Sequence, residues 1–176
     1  MDAFEPALRS VIEPPWTSMK PTVVGPMPSR GGTPDVYVTV RVNGMPDLRV
    51  DVWAGESRSA FEEVEIWHPW LVIGFGAHVH LVNLDSHEAT AIDLGCYFGH
   101  LYPVGDALLV ASAERLLRVE RDGSVRWRSE ALGVDGVLVD DVTGNLVTGR
   151  AEHDPPGGWR PFLLALDTGR ELQRNA

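Results

Sequence analysis

From residue 34 onward, apolar and polar positions alternate in short β-branched runs punctuated by Gly, Asp and Pro. No window sustains a helical period for three turns, so the pattern predicts strands almost throughout. Val36-Tyr-Val-Thr-Val-Arg-Val42 and Leu48-Arg-Val-Asp-Val-Trp53 read as one hairpin joined by Asn43-Gly-Met-Pro-Asp47. Leu116 to Arg128 reads as another, closed by Asp122-Gly123 in a two-residue type I′ turn, because both central positions of that turn need positive φ. A two-residue loop there sets Arg118 opposite Trp127. Asp85-Ser-His-Glu88 and Asp167-Thr-Gly169 occupy similar junctions.

The junctions recur. Asp47, Asp85, Asp122 and Asp167 are spaced by 38, 37 and 45 residues. The segments before them also correspond. Thr22-Val-Val-Gly25, Leu71-Val-Ile-Gly74, Leu108-Leu-Val-Ala111 and Leu146-Val-Thr-Gly149 each read as a buried strand ending in a small residue. Between units, Leu94–Gly105 parallels Leu132–Gly144. A period near 40 residues with several strands per unit is the signature of blades, which bury their faces only by stacking on one another. The unit LLVASAERLLRVERDGSVRWRSEAL and its weaker copies resemble β-propeller repeat proteins, especially the quinoprotein-like and related bacterial types. The tryptophan–aspartate dipeptide of one large propeller family is absent, so that family's roles do not transfer.

The resemblance implies an all-β chain of four propeller-like antiparallel blades over residues 22–172, preceded by a Pro-rich segment 1–21, in a single domain of residues 1–176. Four blades make either a small closed ring or an open half-propeller with an exposed edge. The N-terminal segment is expected to run extended or as an edge strand, where proline is tolerated. Pairing of that segment with the last blade near Leu163–Leu166 would latch a ring closed.

The longest spacing comes from one expanded connection, Glu152-His-Asp-Pro-Pro-Gly-Gly-Trp-Arg-Pro-Phe162. Its Pro-Pro stiffens the approach and its Gly-Gly permits a sharp reversal. His153, Asp154, Trp159 and Arg160 are therefore candidate binding residues on the rim of the sheet stack, where loops often carry function. The plainer reading folds Trp159 down as a lid on the last blade, with Asp154 capping the turn.

Composition narrows the function. The chain carries 25 acidic against 15 basic side chains, a formal charge of −10, which points away from nucleic acid and towards a partner with a basic surface. No apolar run approaches the ~20 residues that span a bilayer, and the N-terminus lacks a signal-peptide pattern. The lone Cys96 offers neither an internal disulfide nor a cysteine-based zinc site. Cytoplasmic residence is the expectation, with no cofactor.

Other candidates have ordinary alternatives beside them. His78 and His80 sit two apart on a strand, so both imidazoles share one face and form the best metal-like pair. Asp85, His87 and Glu88 follow, but the gap from His80 to Glu88 is too long for the cupin motif it resembles, and two histidines on a wetter strand face are the alternative. Arg118, Arg126 and Arg128 suggest an anion site or a cation–π contact with Trp127. Glu62, Glu63 and Glu65, with Asp140 and Asp141, form acidic patches that either mimic phosphates or only confer solubility. No P-loop, nucleophile elbow, dinucleotide fingerprint or His-Glu-x-x-His occurs.

The reading is a non-catalytic protein-binding module. By analogy of size, charge and architecture it resembles small bacterial immunity proteins that neutralise a partner by occlusion. The alternatives are a metal-dependent enzyme or metal binder using His78 and His80, and an assembly protein that pairs through a sheet edge.

Overall fold

The structure is a computed structural model, which describes residues 2–29, 31–55 and 61–172. It divides into two compact units, Met1–Gly95 and Cys96–Ala176. Each contains two sheets.

In the first unit, the first sheet has the strand order β1-β3-β4-β2, formed by β1 (Phe4–Arg9), β2 (Thr22–Val24), β3 (Val36–Val42) and β4 (Met45–Val52). Strict alternation in β3 and β4 decides its faces. Val36, Val38 and Val40 lie opposite Val52, Val50 and Leu48, and all six are buried. They pack with Leu71, Ile73 and Val82 of the second sheet into one apolar core, in which each buried side chain of this size is worth about 1.5–3 kcal/mol. The second sheet is a meander of β5 (Glu62–Trp67), β6 (Trp70–Phe75), β7 (His78–Asn83) and β8 (Ala89–Asp93).

The other face of the first sheet is polar. Tyr37 pairs with Asp51, and Thr39 with Arg49. Residues after β1 fold over it. The 3-10 turn Trp16–Ser18 buries Trp16, with Arg41 stacked 5.9 Å from its ring. Arg49 holds this cover in place. It makes a two-point pair with Asp51 at 2.8 and 2.9 Å and donates to the Trp16 and Met19 carbonyls at 3.2 and 3.4 Å.

In the second unit, the third sheet is the meander β9 (Phe98–Val104), β10 (Ala107–Ser112), β11 (Leu116–Glu120) and β12 (Val125–Arg128). The fourth has three strands, β13 (Val137–Thr143), β14 (Leu146–Glu152) and β15 (Trp159–Ala165). A short return follows, in which the Leu172 N–H donates to the Leu163 carbonyl at 2.8 Å. Leu109, Leu116, Trp127, Val147, Phe162 and Leu164 form the core between the two sheets. The turn after β15 is tied to the third sheet by three donors. Trp127 Nε1 and Arg118 Nη1 both donate to the Leu166 carbonyl, at 2.9 and 3.0 Å, and Arg126 Nε donates to the Asp167 carbonyl at 3.1 Å.

The four sheets follow the expected blade pattern, with several departures. The first sheet is not a copy of the others. Thr22–Val24 is its outer strand and runs parallel to β4, not the buried central strand that the match to Leu71–Gly74 implies. β1 lies inside residues 1–21 yet belongs to this sheet, pairing with β3 from Phe4↔Val42 to Arg9↔Tyr37. Beside Leu163–Leu166, the position expected for the N-terminal segment is taken by the chain's own return, where the Leu172 N–H bonds the Leu163 carbonyl. The first hairpin turns on Asn43-Gly44 alone, both at positive φ, and Asp47 lies within β4.

The Asp122-Gly123 turn is longer than two residues. Glu120 bonds Ser124 and only Gly123 has positive φ, while the Asp122 carboxylate accepts from the Ser124 N–H and hydroxyl. A bulge beside Arg118 then restores the expected register, Arg118↔Trp127. Arg118 and Arg126 are engaged by carbonyls and by Glu120 at 3.0 and 3.4 Å, which accounts for them without an anion.

Candidate functional site

The expanded connection is the β14–β15 hairpin. Glu152 pairs with Trp159 at its base. Inside the loop the His153 N–H donates to the Gly158 carbonyl at 3.0 Å, and the Gly158 N–H to the Asp154 carbonyl at 2.9 Å. The cap on this turn is thus the Asp154 backbone, and its carboxylate is left at the surface. Pro155-Pro156 is a cis pair and Gly157 has φ 104°. His153, Asp154 and Arg160 are all exposed.

Trp159 combines both sequence readings. Odd-numbered residues of β15 point away from the core shared with the third sheet, while Phe162 and Leu164 point into it. Trp159 therefore lies on the outer face of the fourth sheet and crosses β14 to reach Gly136. A Cβ at Gly136 would stand 3.0 Å from the indole, so glycine lets the ring lie flat. Glu152 lies between them at 8% exposure, and its carboxylate accepts from the Gly157 N–H. The indole belongs to the cross-strand partner of this buried glutamate and remains 38% exposed itself.

The connection from β12 to β13 completes the surface. The Val134 N–H donates to the Glu152 carbonyl at 2.7 Å, and the Glu152 N–H to the Gly136 carbonyl at 2.9 Å. This holds Val134, 55% exposed, beside the hairpin base. Asp135 is clamped from the other side: the Tyr97 hydroxyl lies 2.6 Å from its carbonyl and 2.7 Å from its carboxylate. Burial first, then the hydrogen bond and charge of Asp135, push the Tyr97 phenol above its ordinary range, so it stays a protonated donor. Val134 and Trp159 are thus two exposed apolar side chains held by backbone bonds on either side of Glu152 at the hairpin base, a platform with Asp135 next to Val134 in the chain and His153 and Asp154 in the adjoining turn.

Sequence reasoning placed Trp159, His153, Asp154 and Arg160 on one hairpin and missed Tyr97, Val134, Asp135 and Gly136. The last three fall in a segment that the repeat marks only as a linker.

His78 and His80 lie in the first unit, on β7, with rings stacked 5.8 Å apart at 19°. His80 is 1% exposed. Burial, then the nearby charge of His78, lowers its pKa to about 4, so it is a neutral imidazole at pH 7. His87 sits beyond the far end of β7, 3.8 Å from Asp47. Among the described residues no group of three or more His, Cys, Asp or Glu side chains is placed to hold a metal ion.

No family model and no curated protein matches this sequence. Among solved structures the chain is similar to BamB from Moraxella catarrhalis, a β-propeller, with a TM-score of 0.53 and 12% identity. The match covers 95% of this chain and 51% of that one, so the chain spans about half the length of the protein it matches. The likeness shows the fold: all-β, four blade-like sheets, a partial propeller.

Proposed function

We propose that this chain is a non-catalytic protein-binding module that meets its partner at the Trp159–Val134 platform. One observation carries the reading: two large apolar side chains, 38% and 55% exposed, are held on a hydrogen-bonded base, with exposed polar residues adjacent in the chain. Rigid aromatic anchors with a polar rim are the usual composition of binding hot spots. A preformed platform also loses little entropy on binding. The formal charge of −10, with Asp135 and Asp154 at the rim, suits a partner with a basic surface. Occlusion of a toxin, as by a bacterial immunity protein, is the form of this reading that the size and charge of the chain support.

The test is retention of a partner from cells of the source organism, followed by titration of the purified pair. Val134→Asp changes an exposed residue and should leave the fold intact while weakening the complex about tenfold or more. Equal affinity for the wild-type chain, Val134→Asp and the His153→Ala/Asp154→Ala pair would remove the platform from the interface.

A further inference from the structure

The hairpin between β3 and β4 turns on Asn43-Gly44, between the paired residues Val42 and Met45. Asn43 alone among the asparagines is followed by glycine; Asn83 and Asn145 precede leucine, and Asn175 precedes alanine. Asn43 and Gly44 are both exposed, with φ of 52° and 79°. Beyond its chain neighbours, a Cβ at Gly44 would meet nothing within 4 Å. The turn is therefore open to water, and no side chain hinders the glycine nitrogen.

The other side of Asn43 is tied to the residues that lead into β1. Its main-chain N–H donates to the Ala3 carbonyl at 2.9 Å. Its Oδ1 accepts from the Ala3 N–H at 3.1 Å, and its Nδ2 donates to the Asp2 carboxylate at 2.9 Å. Both ends of the side-chain amide are thus held, and the end held by a charged partner has the stronger bond.

We propose that Asn43 is a site of spontaneous deamidation through a cyclic imide, and that the hydrogen bond to Asp2 sets its rate. The Gly44 nitrogen gives up its proton to hydroxide and attacks Asn43 Cγ. The N–Cγ bond forms, the Cγ–Nδ2 bond breaks, and Nδ2 leaves as ammonia with a proton from water. Water then opens the ring. Opening at Cγ yields aspartate; opening at the Asn43 main-chain carbonyl carbon yields isoaspartate, with the chain running through the former side chain. Water is the one co-reactant, and nothing is oxidised or reduced. The departing nitrogen is the atom that Asp2 holds, so the reaction must break this bond. Either product lacks the Nδ2 donor and carries a new carboxylate, so the bond to Asp2 is not remade. The inference is independent of the platform reading, since Asn43 belongs to the other compact unit.

The test incubates the folded chain at about pH 7 to 8 and follows each asparagine by peptide mapping with mass spectrometry. Conversion of amide to acid reads the reaction, and electron-transfer fragmentation separates aspartate from isoaspartate. Asn43 should convert to both products, at a rate that rises in proportion to hydroxide, ahead of Asn83 and Asn145. Asn145 is a matched control, because its Nδ2 is also held by a carboxylate, that of Asp167 at 3.0 Å, but leucine follows it. Asp2→Ala, at an exposed residue, should speed conversion of Asn43 at least about tenfold. Asp2→Asn, which keeps a neutral acceptor, should stay closer to the wild-type rate. In guanidinium chloride the wild-type and Asp2→Ala chains should convert at one rate. Aspartate as the sole product, or an Asn43 no faster than Asn83 and Asn145 in the Asp2→Ala chain, would overturn the site. Equal rates for folded wild type and Asp2→Ala, equal acceleration by Asp2→Asn, or a difference that persists on unfolding would overturn the role given to Asp2.

Discussion

Acidification should weaken the unit Met1–Gly95 through a single buried imidazole. His80 has an ordinary pKa of 6.5 and a folded value of about 4, because burial first and the charge of His78 second disfavour its protonated form. In the unfolded chain it takes up a proton as pH falls through 6.5. In the folded chain it does not until about pH 4. Between those values the unfolded state binds more protons, so stability falls with falling pH. Each pH unit in that window costs about 1.4 kcal/mol, for a total of about 3 kcal/mol at and below pH 4. The full contribution of neutral His80 is present above pH 6.5.

The perturbation is His80→Leu, which keeps an apolar group opposite Ile73 and Ala91 and removes the proton acceptor. Urea titrations at pH 7, 5.5 and 4, followed by the amide NMR signals of β7, read this unit separately from the other. Carboxylates contribute to both proteins, so the informative quantity is the difference between them. Wild type should lose about 3 kcal/mol more than His80→Leu between pH 7 and pH 4. Parallel losses would refute the reasoning, as would a His80 ring signal that titrates near 6.5 in the folded protein.

Other outcomes follow from contacts described above. Gly149→Ala would put a Cβ 2.2 Å from the Leu138 carbonyl oxygen and 2.3 Å from the Phe162 ring, so it should cost about 1–3 kcal/mol or more in thermal or urea unfolding. Arg49→Ala strands Asp51, whose side chain is 10% exposed, and should cost about 3–5 kcal/mol. It should also open residues 10–19 to protease, whereas Arg49→Met with Asp51→Leu should recover most of the loss. Zinc presented in about equimolar amount should not be retained through dialysis at His78 and His80, because among the described residues no third ligand stands beside them; retention lost in His78→Ala/His80→Ala would contradict this.

The meander sheets were legible because each carries its own local signals. Asp85-Ser-His-Glu88, Asp122-Gly123 and Asp167-Thr-Gly169 all fall between or beside paired strands, and Leu71–Gly74, Leu108–Ala111 and Leu146–Gly149 lie on the central strands β6, β10 and β14. Buried strands declare themselves by composition. The first sheet was misaligned because Thr22-Val-Val24 has that same composition on an outer edge; nothing in three residues records parallel pairing with a strand 28 positions later. The turn at Asp122 was misjudged because Asp-Gly serves both a two-residue turn and a longer one with only its glycine at positive φ. At the candidate site, Trp159 stood out by its proline and glycine neighbours. Its support did not, since the role of Gly136 depends on a ring that arrives from across β14.

Trp127 gives the second unit a native optical gauge. Its indole N–H is spent on the Leu166 carbonyl and its ring lies against Gly169, where a Cβ would sit only 2.5 Å away. Both contacts belong to the turn that ends the fourth sheet, while the fluorophore belongs to the third. Separation of the two sheets must therefore hydrate this one indole and shift its emission to longer wavelength, with no label attached. Trp159, already half in water, changes far less, so the wavelength of the second unit's emission tracks the seam between its sheets in real time.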